Sequence, residues 1–293
     1  MKNSYSKKLI QGTIIVLGFF FLSAILGYLF KFTLARTITV KDIGLFYSVL
    51  GFISFFIFLR DFGLSDSLIY FIPRFIVEKS KAKIKSSILF TLLVQLTMGT
   101  IFFTLAMLFS DFLSVNYFKD SDAKFLLITL AFYFILDGIL EVLHNIFHGF
   151  QDMFLSQSIE FLFQFSSIAI FLIILFTKTN IKYFGIAYII SAILCIVIFS
   201  ILFLKYTFPD FVKINSNLSK KLKKNMIDYS LPAMTGNFAS NMFNQQSIFL
   251  ITFFLGLESV GYYVMAMSIA KISIYFYKAI ARVFFPMISE MWK

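Results

Sequence analysis

Three sets of polar side chains interrupt otherwise apolar stretches of this chain, and the spacing of each set suits one helical face. Lys271, Lys278 and Arg282 lie seven and four residues apart with Tyr275 between them, so a helix aligns them as a cationic strip. Arg60 adds a cation to an earlier apolar run, and Asp61 adjoins it. Asn237, Asn241, Asn244 and Gln245 follow at spacings of four, three and one, a stripe of amides. Asp137 and Glu141 are four apart, with His144 and His148 further along the same face. Cations with no carboxylate on their own face suit an anionic guest, amides can bond hydroxyl groups, and Asp61, Asp137 and Glu141 can carry a proton or a coupling cation. Plainer readings stand beside these. The cations can snorkel or pair with acids on other helices. The amides can join helix to helix, at about 0.6 kcal/mol per contact on average. The acids can pair with Arg60.

The elements that must position these groups follow from composition. Of 293 residues, 59% are hydrophobic and only 14% charged, with 43 Phe and one Cys; mean hydropathy is +0.88. Soluble domains carry roughly 45–50% apolar and about 25% charged residues. A soluble globular protein, a disordered chain and a disulfide scaffold are thereby excluded. Continuous apolar runs at 9–32, 43–72, 86–110, 124–148, 154–177, 183–205, 228–254 and 259–288 are each long enough for a membrane-spanning helix, which needs about 20 residues. Barrel strands are about half that length and alternate. The expectation is an all-α bundle of about eight spans. The first run lacks a cleavage-like end and reads as a retained span.

The net charge of +11 reflects topology rather than nucleic-acid binding. One side collects Lys2, Lys7, Lys8, Arg74, Lys79, Lys81, Lys83, Lys85, Lys205, Lys213, Lys220, Lys221, Lys223 and Lys224, fourteen cations against seven on the other. That asymmetry predicts a multi-pass protein of the cell membrane with both termini cytoplasmic. Catalytic signatures are absent: no phosphate-cradling loop, no Gly-x-Ser-x-Gly, no Cys/His pairing. Glu141-x-x-His144 resembles half of a di-metal site, but two His in the whole chain cannot complete one. No metal, cofactor or enzymatic activity is expected.

Residues 41–46 (Lys-Asp-Ile-Gly-Leu-Phe) and 258–263 (Glu-Ser-Val-Gly-Tyr-Tyr) share aliphatic-Gly-x-aromatic at an offset of 217, with an acid one or two residues ahead of it. Phe71-Ile72-Pro73 and Phe284-Phe285-Pro286 echo one another further on. Parallel repeats imply two lobes about an axis along the membrane normal. These segments, with Leu34-Ala35-Arg36, Asp61-Phe62-Gly63-Leu64, Ser230-Leu231-Pro232, Phe254-Leu255-Gly256 and Phe285-Pro286-Met287-Ile288-Ser289, resemble the polysaccharide biosynthesis (oligosaccharide flippase) branch of the multidrug/oligosaccharidyl-lipid/polysaccharide exporter superfamily.

The resemblance implies a transporter that flips a lipid-linked oligosaccharide to the outer leaflet by alternating access, in glycan biosynthesis. It implies a first lobe over 1–208, a basic cytoplasmic linker over 209–227 and the start of a second lobe over 228–293. Arg60, Lys271, Lys278 and Arg282 would then hold the carrier's diphosphate, and the amides would meet its sugars. Glycosyltransferases or a polymerase are the implied partners. The family usually has twelve to fourteen spans, so a truncated product, a split gene, self-pairing or a second chain completing the lobe is also expected. Alternatives are an ion-coupled drug or metabolite exporter of the same superfamily, a non-transporting membrane subunit, or a membrane-embedded transferase.

Overall fold

The structure, a computed structural model, describes residues 2–177, 180–215 and 219–270. Every regular element among them is helical: α1 (Lys2–Thr37), α2 (Val40–Phe55), α3 (Ile57–Asp61), α4 (Leu64–Val77), α5 (Lys81–Leu108), α6 (Ser110–Leu113), α7 (Asp122–Gly149), α8 (Met153–Phe176), α9 (Phe184–Leu202) and α10 (Lys220–Leu255). A further helix, α11, runs over 257–270. The protein is an all-α multi-pass membrane bundle.

Six stretches are long and apolar enough to cross a bilayer: Gly12–Thr37, Val40–Asp61, Lys81–Leu108, Asp122–Gly149, Met153–Phe176 and Ile181–Thr207. They fall on the first six runs read from the sequence. α10 covers the seventh but begins earlier, at Lys220, so part of the expected linker is helix. Among the described residues its apolar part is Gln245–Leu255. The eighth run is described only to residue 270.

Short polar connections fix where the helices start. Thr39 accepts the Asp42 N–H at the head of α2, Asp152 accepts that of Leu155 at α8, and Ser219 accepts that of Leu222 at α10; each occupies a donor left orphaned by the helix geometry. α7 is the hub, touching α2, α4, α5, α8 and α9.

The second run departs from a single continuous helix. Phe56 separates α2 from α3, and Phe62 and Gly63, both left-handed at φ of 51° and 72°, separate α3 from α4. Glycine reaches that conformation freely; phenylalanine does so at a cost of roughly 1–2 kcal/mol. The Asp61 carboxylate offsets part of it by accepting the Ser65 N–H at 2.9 Å, so an acid caps α4 in the middle of the bundle. Gly63 itself lies against the backbone of Ser230 to Met234, where a Cβ has no room. α10 runs on continuously there but lacks one backbone hydrogen bond, since Pro232 has no donor.

The apolar core is split in two. One cluster, with Phe46, Phe134, Phe171 and Phe184, fills the half of the bundle around residues 30–57, 102–134 and 168–188. The other, with Phe71, Phe75, Phe147 and Phe199, fills the opposite half. Between them, at the end of α3 and midway along α5 and α7, lie Arg60, Asp61, Gln95, Asp137 and Glu141.

Candidate functional site

This mid-depth polar layer is the candidate site. Arg60 is 1% exposed. Its guanidinium meets Asp137 at 2.9 Å and Glu141 at 2.6 Å and donates to the carbonyl of Phe134, whose ring lies 4.5 Å beneath it. The two acids are one turn apart on α7, so a single helix face supplies both partners. Tyr133 donates to Asp137 at 2.8 Å from the turn before. Gln95 of α5 donates to Asp61 and to Ser65, each at 2.7 Å, and stands 3.4 Å from Glu141. A guanidinium so placed is tolerable only because it is paired; an unpaired charge at mid-bilayer costs roughly 2.5–3.5 kcal/mol on insertion scales.

Gly138 makes the close packing here possible. Gln95 and Arg60 cross directly over it, so a Cβ at that position would press on both.

A cavity of about 240 Å³ opens on the α10 side of this layer, lined by Ile57, Phe58, Asp61, Gly63, Asp66, Glu141, Met234, Asn237 and Asn241. Asn237 donates to Asp66 at 2.8 Å, tying α10 to α4. The cavity therefore presents carboxylates and amides together.

The residues expected from sequence divide accordingly. Asp61, Glu141, Asn237 and Asn241 converge on the cavity, and Gln245 lies one turn beyond Asn241, beside Gly51 of α2. Asn244 belongs to α10, with its side chain outside the described set. Asp137 is not among the lining residues and pairs with Arg60. Arg60, expected among the cavity cations, does not line this space: its charge is engaged by two acids of α7, the plainer of the two readings. Lys271, Lys278 and Arg282 lie outside the described residues. His144 Nε2 stands 3.6 Å from Glu160, away from the cavity.

One participant escaped the sequence reading: Gln95 is a lone amide in the 86–110 run, and that isolation was its signal. Asp66, an acid of the second run that by sequence invites the same structural reading as Asp61, falls one turn below the left-handed corner, which aims it at α10.

The bundle's ends are tied by ion pairs. At one end Lys81 bridges to Asp210 and Lys83 reaches Glu78 at 2.7 Å, while Lys85 donates to the Ile214 carbonyl at 2.8 Å. The Lys81 ammonium holds the Asp210 carboxyl below its ordinary 3.8, and Lys83, with Arg74 beyond it, holds that of Glu78 below 4.5. At the other end Lys41 meets Asp120 at 2.7 Å and Lys124 meets Asp111 at 2.6 Å.

Comparison with known proteins follows the same lines. A family model described as polysaccharide biosynthesis protein matches residues 9–292. An uncharacterized membrane protein of Methanocaldococcus jannaschii is 32% identical over 305 residues, covering 99% of this chain and 60% of that protein. The chain thus spans about three fifths of that relative. Among solved structures, the inward-facing conformation of a multidrug resistance MATE family transporter of the MOP superfamily superposes with a TM-score of 0.60 at 19% identity, covering 86% of this chain and 62% of that one. At that identity the likeness concerns the fold.

Proposed function

The chain belongs to the polysaccharide biosynthesis protein family, and from that premise we propose that it carries a lipid-linked oligosaccharide from the cytoplasmic to the outer leaflet. It acts as a transporter and not as an enzyme. The observation that supports this reading most is the mid-depth cavity, where Asp61, Asp66, Asn237 and Asn241 offer acceptors and donors suited to sugar hydroxyls inside an apolar bundle. The headgroup crosses through this space while the lipid tail stays in the bilayer. Lys271, Lys278 and Arg282 supply the cations for the carrier's diphosphate. The Phe62–Gly63 corner, packed on the Pro232 stretch of α10, is the place where one lobe rocks against the other.

The carboxylates of the site favour one elaboration. Asp61, Glu141 and Asp137 take up the coupling cation or proton whose gradient drives the cycle. The same carboxylates support the second reading, an ion-coupled exporter of drugs or metabolites, because an acidic cavity favours cationic guests. Reconstitution into vesicles separates the two. A glycan flippase moves a fluorescent prenyl-diphosphate oligosaccharide and ignores an organic cation, and a drug exporter does the reverse. A protein that moved neither would count against both.

A further inference from the structure

Below the cavity, α4 and α10 hold a second arrangement that the proposed function has not used. Tyr70 of α4 and Tyr229 of α10 stack with ring centroids 4.6 Å apart and planes inclined by 15°. Phe71 meets Tyr229 edge-on at 5.8 Å. The rings are far from buried: Tyr70 is 46% and Tyr229 39% exposed, while neighbouring Phe71 is 6% and Ile72 0%. Neither hydroxyl has a hydrogen-bond partner among the described residues.

Register places this pair on the cavity side. Tyr70 is four residues after Asp66, and Arg74 four after Tyr70, so carboxylate, ring and guanidinium descend one face of α4 at about 6 Å per step. Asp66 lines the cavity and bonds Asn237, and Tyr229 lies two turns before Asn237 on α10. A tyrosine of the membrane-interface belt turns to lipid; these share a stripe with a cavity carboxylate. Asp66 and Asn237 spend one oxygen and one amide hydrogen on each other and keep their remaining acceptors open. Arg74 contacts Glu78 at 3.5 Å, with its side chain 60% exposed.

Resting on the transport reading above, we propose that this α4–α10 groove is a saccharide subsite. A pyranose ring lays its C–H face on the exposed tyrosine surface, where the negative face of the aromatic quadrupole meets the weakly positive C–H bonds. Its hydroxyls donate to Asp66 and Asn237, and Arg74 receives the adjoining phosphate. The order of groups sets an orientation, with the sugar toward the cavity and the phosphate toward the basic end of the bundle. A flat, sequence-tolerant platform beside a few polar selectors accommodates different sugars as long as they offer an equatorial, apolar face.

The test is binding, measured apart from transport. The full chain, purified in a zwitterionic detergent free of sugar headgroups, is titrated with citronellyl diphosphate carrying one N-acetylglucosamine and with citronellyl diphosphate alone. The subsite predicts a preference of about tenfold for the sugar-bearing lipid, the size of one good aromatic contact. Tyr70→Ala and Tyr229→Ala bring its affinity down to that of the sugar-free lipid, and Tyr70→Phe keeps the preference. Tyr70→Leu and Tyr229→Leu fill the volume without an aromatic face; they decide the matter if the alanine variants bind neither lipid, and they too must lose the preference. Equal affinity of the unaltered protein for both lipids, or a preference that survives the leucine variants, overturns the proposal. Selective binding without translocation in vesicles would retain the subsite and remove the transport reading.

Discussion

Gly44 and Gly261 stand 217 residues apart and meet in a reciprocal contact. Gly44, on α2, lies against the backbone of Leu257, and Gly261, on α11, lies against the backbone of Val40. Each glycine touches the residue four positions before the other, so adding 217 to one contact produces the other. The two helices cross where both have just begun, and neither site has room for a Cβ. That is the pattern of an interface related by a two-fold axis. One turn further into the bundle, Thr252 of α10 donates to Ser48 of α2 at 3.0 Å, both buried.

This contact gives the first prediction. In a Cys195→Ser background, Ser48→Cys with Thr252→Cys should form a disulfide under mild oxidation, because the two hydroxyls already touch. Absence of the crosslink in membranes would mean that α2 and α10 separate at this end.

Gly261→Ala should lower the thermal midpoint in detergent, since overpacking costs typically 1–3 kcal/mol, roughly. Gly236→Ala, on an open stretch of α10 with nothing near its Cβ position, should leave the midpoint unchanged or raise it. Equal midpoints for the two variants would show that the crossing is loose.

Arg60→Met should destabilise the bundle by roughly 3–5 kcal/mol, the cost of leaving buried acids unpaired. Adding Asp137→Asn and Glu141→Gln to Arg60→Met should restore much of the loss, because no charge is then left alone. Thermal unfolding of the single and triple variants measures both. A harmless Arg60→Met would mean that the acids were already neutral in the absence of the guanidinium.

The Lys81–Asp210 tie carries a pH signature. Asp210 titrates below its unfolded value, so the tie contributes above that value and is lost as pH falls through the lower, folded one. Hydrogen exchange in the strap over 208–214, corrected for intrinsic rate, should rise below pH 3.8 and stay flat between neutrality and mildly acid conditions. Asp210→Asn should show the faster exchange at every pH. Both groups are exposed, so added salt should weaken the effect.

Asn237→Ala removes the amide that joins α10 to Asp66. Glycan export in a complementation assay should fall while membrane abundance, read by immunoblot, holds. Undiminished export would make that hydrogen bond mere helix contact.

Much of this architecture could be read from hydropathy because lipid imposes a simple demand: each crossing helix must be long, apolar and internally bonded. The six crossing stretches obey it in length and composition. In the second run Gly63 after Asp61 reads as a hinge, and the chain does turn there; the left-handed turn of Phe62 beside it is not legible, because no residue type announces it. Arg60 shows the limit for the site. Sequence marks a buried cation but not the direction in which it points, and the spacing of Asp137 and Glu141 identified both its partners and an alternative use. Gln95 and Asp66 join the site through packing of α5 and α10, contacts far apart in the chain. The glycine repeat was legible since close backbone crossings demand one residue type at both copies.

The central claim is that this chain moves a saccharide-bearing lipid across a bilayer. The most direct measurement follows a fluorescent prenyl-diphosphate oligosaccharide from the cytoplasmic-side leaflet to the opposite leaflet of oriented vesicles containing the full chain. The account predicts protein-dependent transfer that slows sharply in a Lys271→Ala, Lys278→Ala variant present at the same density. Transfer at the rate of empty vesicles, or transfer indifferent to those two lysines, would contradict it.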